Sequence, residues 1–219
     1  MDREAVLFDF DYTLGDSTPG IIQSIQYALA RLGEPSPPPE RIRRTIGLSL
    51  ADTYLSLTGD TDERRSALFG GYFKEKADQV MVEHTRLYPE ALPALASLRA
   101  KGFRLGIVTT KYRYRIQAIL AREVAEGRVD VVIGAEDVQR QKPDPEGLLL
   151  AMAALGAAPR QTLYVGDSLV DAEAAARAGT RFLGVLTGTT TAADFARKGQ
   201  PAARGLVEVL AIIGQGGRS

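Results

Sequence analysis

The chain predicts an α/β protein, a doubly wound parallel sheet core with an inserted helical subdomain. Three observations lead there. Short apolar runs with almost no charge alternate with stretches of helical periodicity, polar clusters follow the ends of several runs, and about ninety residues of largely helical pattern separate the first run from the second. A strand covered on both faces reads as a continuous apolar run, and its alternation with helices points to parallel βαβ units. A parallel crossover needs only a dozen or so residues, so the excess reads as an insertion. The division that follows is 1–16 with 86–219 for the α/β core and 17–85 for the insert.

In order, Ala5-Val6-Leu7-Phe8 is the first buried strand, and Asp9 and Asp11 arrive where it ends. Ser17, Thr18 and Pro19 suit a helix start, and Ile21, Ile25, Ala28, Leu29 and Leu32 recur at helical spacing until Gly33 stops them. Prolines from 35 to 39 break the pattern. Helical stretches follow at 41–45, 50–57 and 63–83, the last with Gly70-Gly71 as a point of interruption. Another helix begins at Pro89-Glu90 and ends at Lys101-Gly102, before a second strand from Phe103 to Thr109. Alternation is regular from there. A helix at 113–126 precedes a strand at 129–133, and a helix at 145–155, closed by Gly156, precedes a strand at 162–165. After Gly166-Asp167-Ser168 a helix runs to Ala178 with Gly179 as its stop, then a strand at 181–186, a helix at about 203–213 and a frayed end at 214–219.

Composition narrows the chemistry. With 219 residues, 45% of them hydrophobic, the chain can bury one large core or a core with an insert. Lys plus Arg and Asp plus Glu number 27 each, so the overall charge points to neither nucleic acid nor an anionic membrane as partner. There is no cysteine, which excludes disulfides, thiolate metal sites and cysteine nucleophiles. His84 is the sole histidine, and no nucleophile elbow accompanies it. Carboxylates, hydroxyls and lysines must carry any catalysis. No stretch approaches the roughly 18 apolar residues of a membrane span and the start lacks secretory-signal features, so the cytoplasm is the expected location.

Four polar clusters sit at corresponding places, at strand ends or in the loops after them. They are Asp9 with Asp11, Thr109-Thr110-Lys111, Lys142-Pro143-Asp144-Pro145, and Gly166-Asp167-Ser168 with Asp171. In an open parallel sheet the carboxyl ends of the strands face the ligand crevice, so these clusters converge on one edge. Carboxylates about 4 Å from one another and from a phosphate dianion would repel by roughly 4 kcal/mol per pair at an effective dielectric near 20. Holding an anionic substrate there requires a hard divalent cation bound by oxygens, Mg²⁺ being the natural choice, together with the Lys142 ammonium.

These clusters resemble the four motifs of the haloacid dehalogenase superfamily of phosphohydrolases, in the branch with a helical cap after the first strand that includes phosphoglycolate phosphatases. Asp9, Asp11 and Thr13 match its Asp-x-Asp-x-Thr motif, Thr109 the hydroxyl of the second, Lys142 the lysine of the third, and Gly166-Asp167-Ser168-Leu169-Val170-Asp171 the fourth. The resemblance implies a Rossmann-like core, an α-helical cap, and a Mg²⁺-dependent phosphatase that works through an aspartyl phosphate. Asp9 would attack phosphorus, and Asp11 would protonate the leaving alcohol and then deprotonate water. Thr109, Thr110 and Lys142 would hold the phosphoryl group. Asp9, the backbone carbonyl of Asp11, and Asp167 would hold the metal, with Asp171 and Ser168 behind them orienting the ligands. Tyr12 stands where the family usually has glycine, Thr110 where it has asparagine, and Glu90 where a glycine commonly follows Pro89.

Other readings fit less well. A dehalogenase would lack the second acid supplied by Asp11. A hexose-phosphate mutase would carry a cap histidine where Ile21 stands and basic residues where Ile46 and Leu50 flank Gly47, and a phosphonate hydrolase would need a cap lysine that the sequence up to Gly71 lacks. A phospho-accepting signalling receiver would have neither the helical insert nor the Asp11 spacing, and a catalytically silent scaffold of the same fold would release no phosphate. The expected partner is therefore a small-molecule phosphate ester, phosphoglycolate first and pyrophosphate or a sugar phosphate next, handled by a monomer or homodimer. Arg41, Arg43, Arg44 and Gly47 are the insert positions read as specificity candidates, although the arginines read more readily as a solvated helix face. Tyr112 to Arg115 reads as a helix surface.

Overall fold

The apolar run after Glu4 becomes the central strand of a sheet, each of its four side chains 1% exposed or less. The structure, a computed structural model, describes residues 4–216. In chain order β1 (Ala5–Phe8) and β2 (Gly15–Asp16) precede α1 (Thr18–Arg31), α2 (Pro39–Arg43), α3 (Leu50–Thr58) and α4 (Glu63–His84). Next come β3 (Arg86–Leu87), α5 (Ala91–Ala100), β4 (Arg104–Val108), α6 (Arg113–Arg122) and β5 (Val131–Ile133). Then follow α7 (Glu146–Leu155), β6 (Thr162–Gly166), α8 (Leu169–Ala178), β7 (Arg181–Val185), α9 (Ala192–Arg197), β8 (Ala202–Ala203) and α10 (Leu206–Gly216).

The chain divides into two compact units, one of the residues up to Asp16 and from Leu87 onward, the other Ser17–Arg86. The first holds a six-stranded sheet in the order β5-β4-β1-β6-β7-β8, every pairing parallel. Leu7 lies opposite Gly106 on one side and Tyr164 on the other, so β1 is flanked by the strands that carry the second and fourth polar clusters. The order reverses about β1, the point at which open α/β sheets leave a crevice at their carboxyl ends. Ala5 and Leu7 pack with Leu148, Met152 and Ala175 from α7 and α8, while Val6 and Phe8 alternate to the opposite face. Gly156 (φ 60) and Gly179 (φ 73) end α7 and α8 in the left-handed region that a Cβ disfavours.

The second unit carries α1 to α4. Ser49 accepts a hydrogen bond from Asp52 N to cap α3, and Asp62 accepts from Arg64 N and Arg65 N to cap α4. Its core gathers Ile25, Leu29, Ile42, Tyr54, Phe69 and Phe73. A Cβ on Gly20 would sit 3.2 Å from Met81 Sδ, so glycine lets α1 run close against α4.

Several element bounds differ from the sequence pattern. α4 continues unbroken through Gly70-Gly71. The helix predicted at 113–126 stops at Arg122, where Val124 takes φ 51 and Ala125 N bonds back to Leu120 O. The helix predicted at 203–213 begins at Leu206 instead, because Leu186 N bonds to Ala203 O and draws that segment into a sixth strand. Residues 214–216 belong to α10, and 217–219 lie outside the described residues.

Candidate active site

Asp9 follows β1, and its backbone N–H donates to Val165 O of β6 at 2.8 Å, which fixes it beside the end of the neighbouring strand. The chain then folds tightly on itself, with Leu14 N and Gly15 N both donating to Phe10 O, so that Asp11 and Thr13 ride on the same turn. Tyr12 occupies the turn at φ 59, a conformation suited to glycine, and Thr187 donates to its carbonyl. Holding a non-glycine residue there costs about 1 kcal/mol or more.

Lys142, on the loop before α7, reaches back under this turn and is 7% exposed. Its Nζ lies 3.0 Å from Asp9 Oδ1, 2.6 Å from Asp171 Oδ1 and 3.0 Å from the Tyr164 hydroxyl. The first is an ion contact without hydrogen-bond geometry, and Asp9 Oδ1 has no hydrogen-bond partner. Burial opposes the ammonium charge, but Asp171, Asp9 and Tyr164 outweigh it and raise Lys142 well above an ordinary lysine.

Asp167 follows β6 and is 4% exposed. Oxygens of Asp9, Asp167 and Asp171 lie within 4.8 Å of one another. Crowded carboxylates in a dry site resist ionisation together. Burial, followed by Asp171 and Asp11 acting against Lys142, pushes Asp9 up to about 7, and burial with Asp171 and Asp9 drives Asp167 well above an ordinary aspartate. Asp171 differs from the other two in being fully engaged. Its Oδ1 accepts from Lys142 and its Oδ2 accepts from Ser168 N and Ser168 Oγ, the latter at 2.6 Å, in the capping box of α8.

The cluster suits a hard cation. Every donor is oxygen, and Asp9 Oδ1, Asp11 Oδ1 and Thr13 Oγ1 are buried without a hydrogen-bond partner, the environment a divalent ion and a phosphoryl group would complete. Thr109, at the end of β4, is 6% exposed; its N–H donates to Ile133 O, and its Oγ1 accepts from Lys111 N. Thr110 is half-buried beside it.

The structure adds contacts that the sequence pattern does not reveal. Lys111 Nζ pairs with Asp11 Oδ2 at 3.2 Å; burial, only partly offset by Asp11, brings its ammonium below an ordinary lysine. Tyr164 is wholly buried behind Lys142. A Cβ on Gly188 would lie 1.9 Å from Asp167 Oδ2, so the loop after β7 closes over that carboxylate only with glycine. Arg115 corrects the reading of 112–115 as helix surface, for it is 2% exposed and its guanidinium lies over the rings of Tyr112 and Tyr114. In the helical unit Arg41 donates to Ser56 O, Arg44 is exposed at the end of α2, and Gly47 takes φ 97.

The haloacid dehalogenase-like hydrolase family model matches residues 6–185. Phosphoglycolate phosphatase of Escherichia coli strain K12 is 36% identical, across 85% of this chain and 82% of its own length. Pyrophosphatase PpaX of Bacillus pumilus is 34% identical, across 82% of each. The crystal structure of a provisionally assigned haloacid dehalogenase-like hydrolase from Bacteroides fragilis superposes with TM-score 0.87 at 44% identity, covering 92% of this chain and 95% of that one.

Proposed function

The chain belongs to the haloacid dehalogenase-like hydrolase family, and from that membership we propose that it is a phosphatase acting on a small phosphorylated metabolite through an aspartyl phosphate. The observation that carries the reading is the meeting of Asp9, Lys142 and Asp167, from three separate segments, around buried oxygens that lack hydrogen-bond partners. An Asp9 oxygen attacks phosphorus, the ester P–O bond breaks, and its electron pair leaves on the alcohol oxygen, which Asp11 protonates. Asp11 then takes a proton from water as the water oxygen attacks the acyl phosphate, which restores the Asp9 carboxylate. Thr109, Thr110 and Lys142 hold the phosphoryl oxygens, Lys142 meeting the negative charge as it transfers.

Asp9, Asp167 and the backbone carbonyl of Asp11 would hold Mg²⁺. When bound, the ion supplies the positive charge that lets Asp9 and Asp167 ionise together and neutralises phosphoryl oxygens. Asp171, already committed to Lys142 and Ser168, supports these groups from behind. The helical unit acts as the cap, with Arg41, Arg44 and Gly47 as its specificity candidates.

Phosphoglycolate is the leading substrate, on the relative named for it, with pyrophosphate next and a sugar phosphate after it. Phosphate release from 2-phosphoglycolate, pyrophosphate and a set of sugar phosphates, measured with Mg²⁺ and with a chelator, tests the proposal. Release is expected only with the ion, and Asp9→Asn should lower it on the order of 10³-fold or more. No release from any ester by the Mg²⁺-supplied protein, or full turnover by Asp9→Asn, ends the reading.

A further inference from the structure

We infer that Tyr164 is a positioning residue for phosphoryl transfer, its hydroxyl aiming the Lys142 ammonium at the Asp9 side of the site. The inference rests on the phosphatase reading and goes beyond it to a residue outside the four motif clusters. An ammonium has three N–H bonds. At Lys142 one is taken by Asp171 Oδ1 at 2.6 Å and one by the Tyr164 oxygen at 3.0 Å. With two fixed, the nitrogen is held 3.0 Å from Asp9 Oδ1, an ion contact to an oxygen that has no hydrogen-bond partner.

Tyr164 is itself held from both ends. Its ring is 0% exposed in the sheet core, 6.3 Å from the ring of Phe182. Its hydroxyl lies 3.0 Å from Val108 O, the last carbonyl of β4, and 3.0 Å from Asp171 Oδ1, so its single proton goes to one of these while an oxygen lone pair faces the lysine. Val108 immediately precedes Thr109. The tyrosine thus sets the lysine in register with the strand end that delivers the proposed phosphate-binding hydroxyl. Removing only the oxygen frees one N–H and lets the ammonium turn on its flexible stem.

Two replacements separate aiming from mere packing. Tyr164→Phe keeps the ring and deletes the hydroxyl. Site-specific incorporation of p-aminophenylalanine at position 164 keeps a donor for Val108 O and Asp171, but its conjugated amine is a poor acceptor for an ammonium. Both variants should lose about ten-fold or more in kcat with KM changed less than two-fold, since a misplaced charge acts on the transferring group. The thermal midpoint should fall in Tyr164→Phe and stay near wild type in the amino variant. Inhibition by orthovanadate, five-coordinate like the transferring phosphoryl group, should weaken by a factor similar to the loss in kcat. Should Tyr164→Phe fail to fold, the amino variant decides alone. A folded amino variant with wild-type kcat overturns the inference and leaves the phosphatase reading standing, whereas a wild-type protein that releases no phosphate overturns both.

Discussion

At the residue scale the site depends on contacts between groups remote in sequence. Gly188 makes this measurable. Because an added Cβ would fall 1.9 Å from Asp167 Oδ2, Gly188→Ala must displace either the carboxylate or the loop. If Asp167 holds the cation, Mg²⁺ affinity followed by the shift of the thermal midpoint should drop about 10- to 100-fold, the usual cost of disturbing a group that orients a metal ligand. Unchanged affinity would mean that the loop yields instead, and unchanged affinity in Asp167→Asn as well would remove Asp167 from the ligand set. Asp9, Asp11, Lys142, Asp167 and Asp171 were legible in the sequence because each sits in a short motif at a strand end or in the loop that follows. Tyr164 and Gly188 were not, since a tyrosine inside an apolar strand reads as core and a glycine in a loop reads as a turn. Only the distances from Tyr164 to Lys142 and from Gly188 to Asp167 reveal their place. Lys111 was visible within its cluster, but nothing in the one-dimensional pattern pairs it with Asp11.

At the element scale long periodic segments were legible and short ones were not. Four apolar residues from Ala5 to Phe8 suffice for a buried strand because both neighbours share that character. The two residues of β8 and the six of α9 are too short for any period to register. The existence of β8 depends on tertiary pairing with β7, which outweighs the helical preference of Ala202 and Ala203. In α4 the opposite holds. Two glycines invited a break, yet twenty-two residues of helix run through them, because packing of Phe69, Phe73 and Ala77 outweighs the entropic cost. Gly71 is exposed and a Cβ there would meet nothing within 4 Å. Gly71→Ala should therefore stabilise the protein by up to about 1 kcal/mol, read as a higher urea midpoint. A lower midpoint would mean that the glycine serves something other than the helix.

At the scale of the whole molecule the buried acids couple folding to pH. Asp9, raised to about 7 by burial and its acidic neighbours, binds its proton more firmly in the folded protein than in the unfolded chain. Its contribution to stability is complete below the ordinary aspartate value of 3.8 and is lost as the pH rises through about 7. Asp167 is displaced in the same direction. Protein treated with a chelator should accordingly show a thermal midpoint that falls between about pH 4 and 7. Added Mg²⁺ should flatten that fall and release protons near pH 6, detectable as a buffer-dependent heat of binding. A midpoint that rises over this range would contradict the arrangement of the acids. Among the described residues no helix is long and apolar enough to cross a membrane. The sheet order has one last consequence, for the history of each newly made chain. The strand that leads to Asp9 leaves the ribosome before both of its neighbours, the second of which is complete only at Gly166. At about 5–20 residues per second that is a wait of roughly 8–32 s, and until β4 is complete at Val108, Ala5 to Phe8 is a sticky ribbon without a berth. The helices of Ser17–Arg86 are synthesised in that interval, so the segment that leads to Asp9 is born early and seated late.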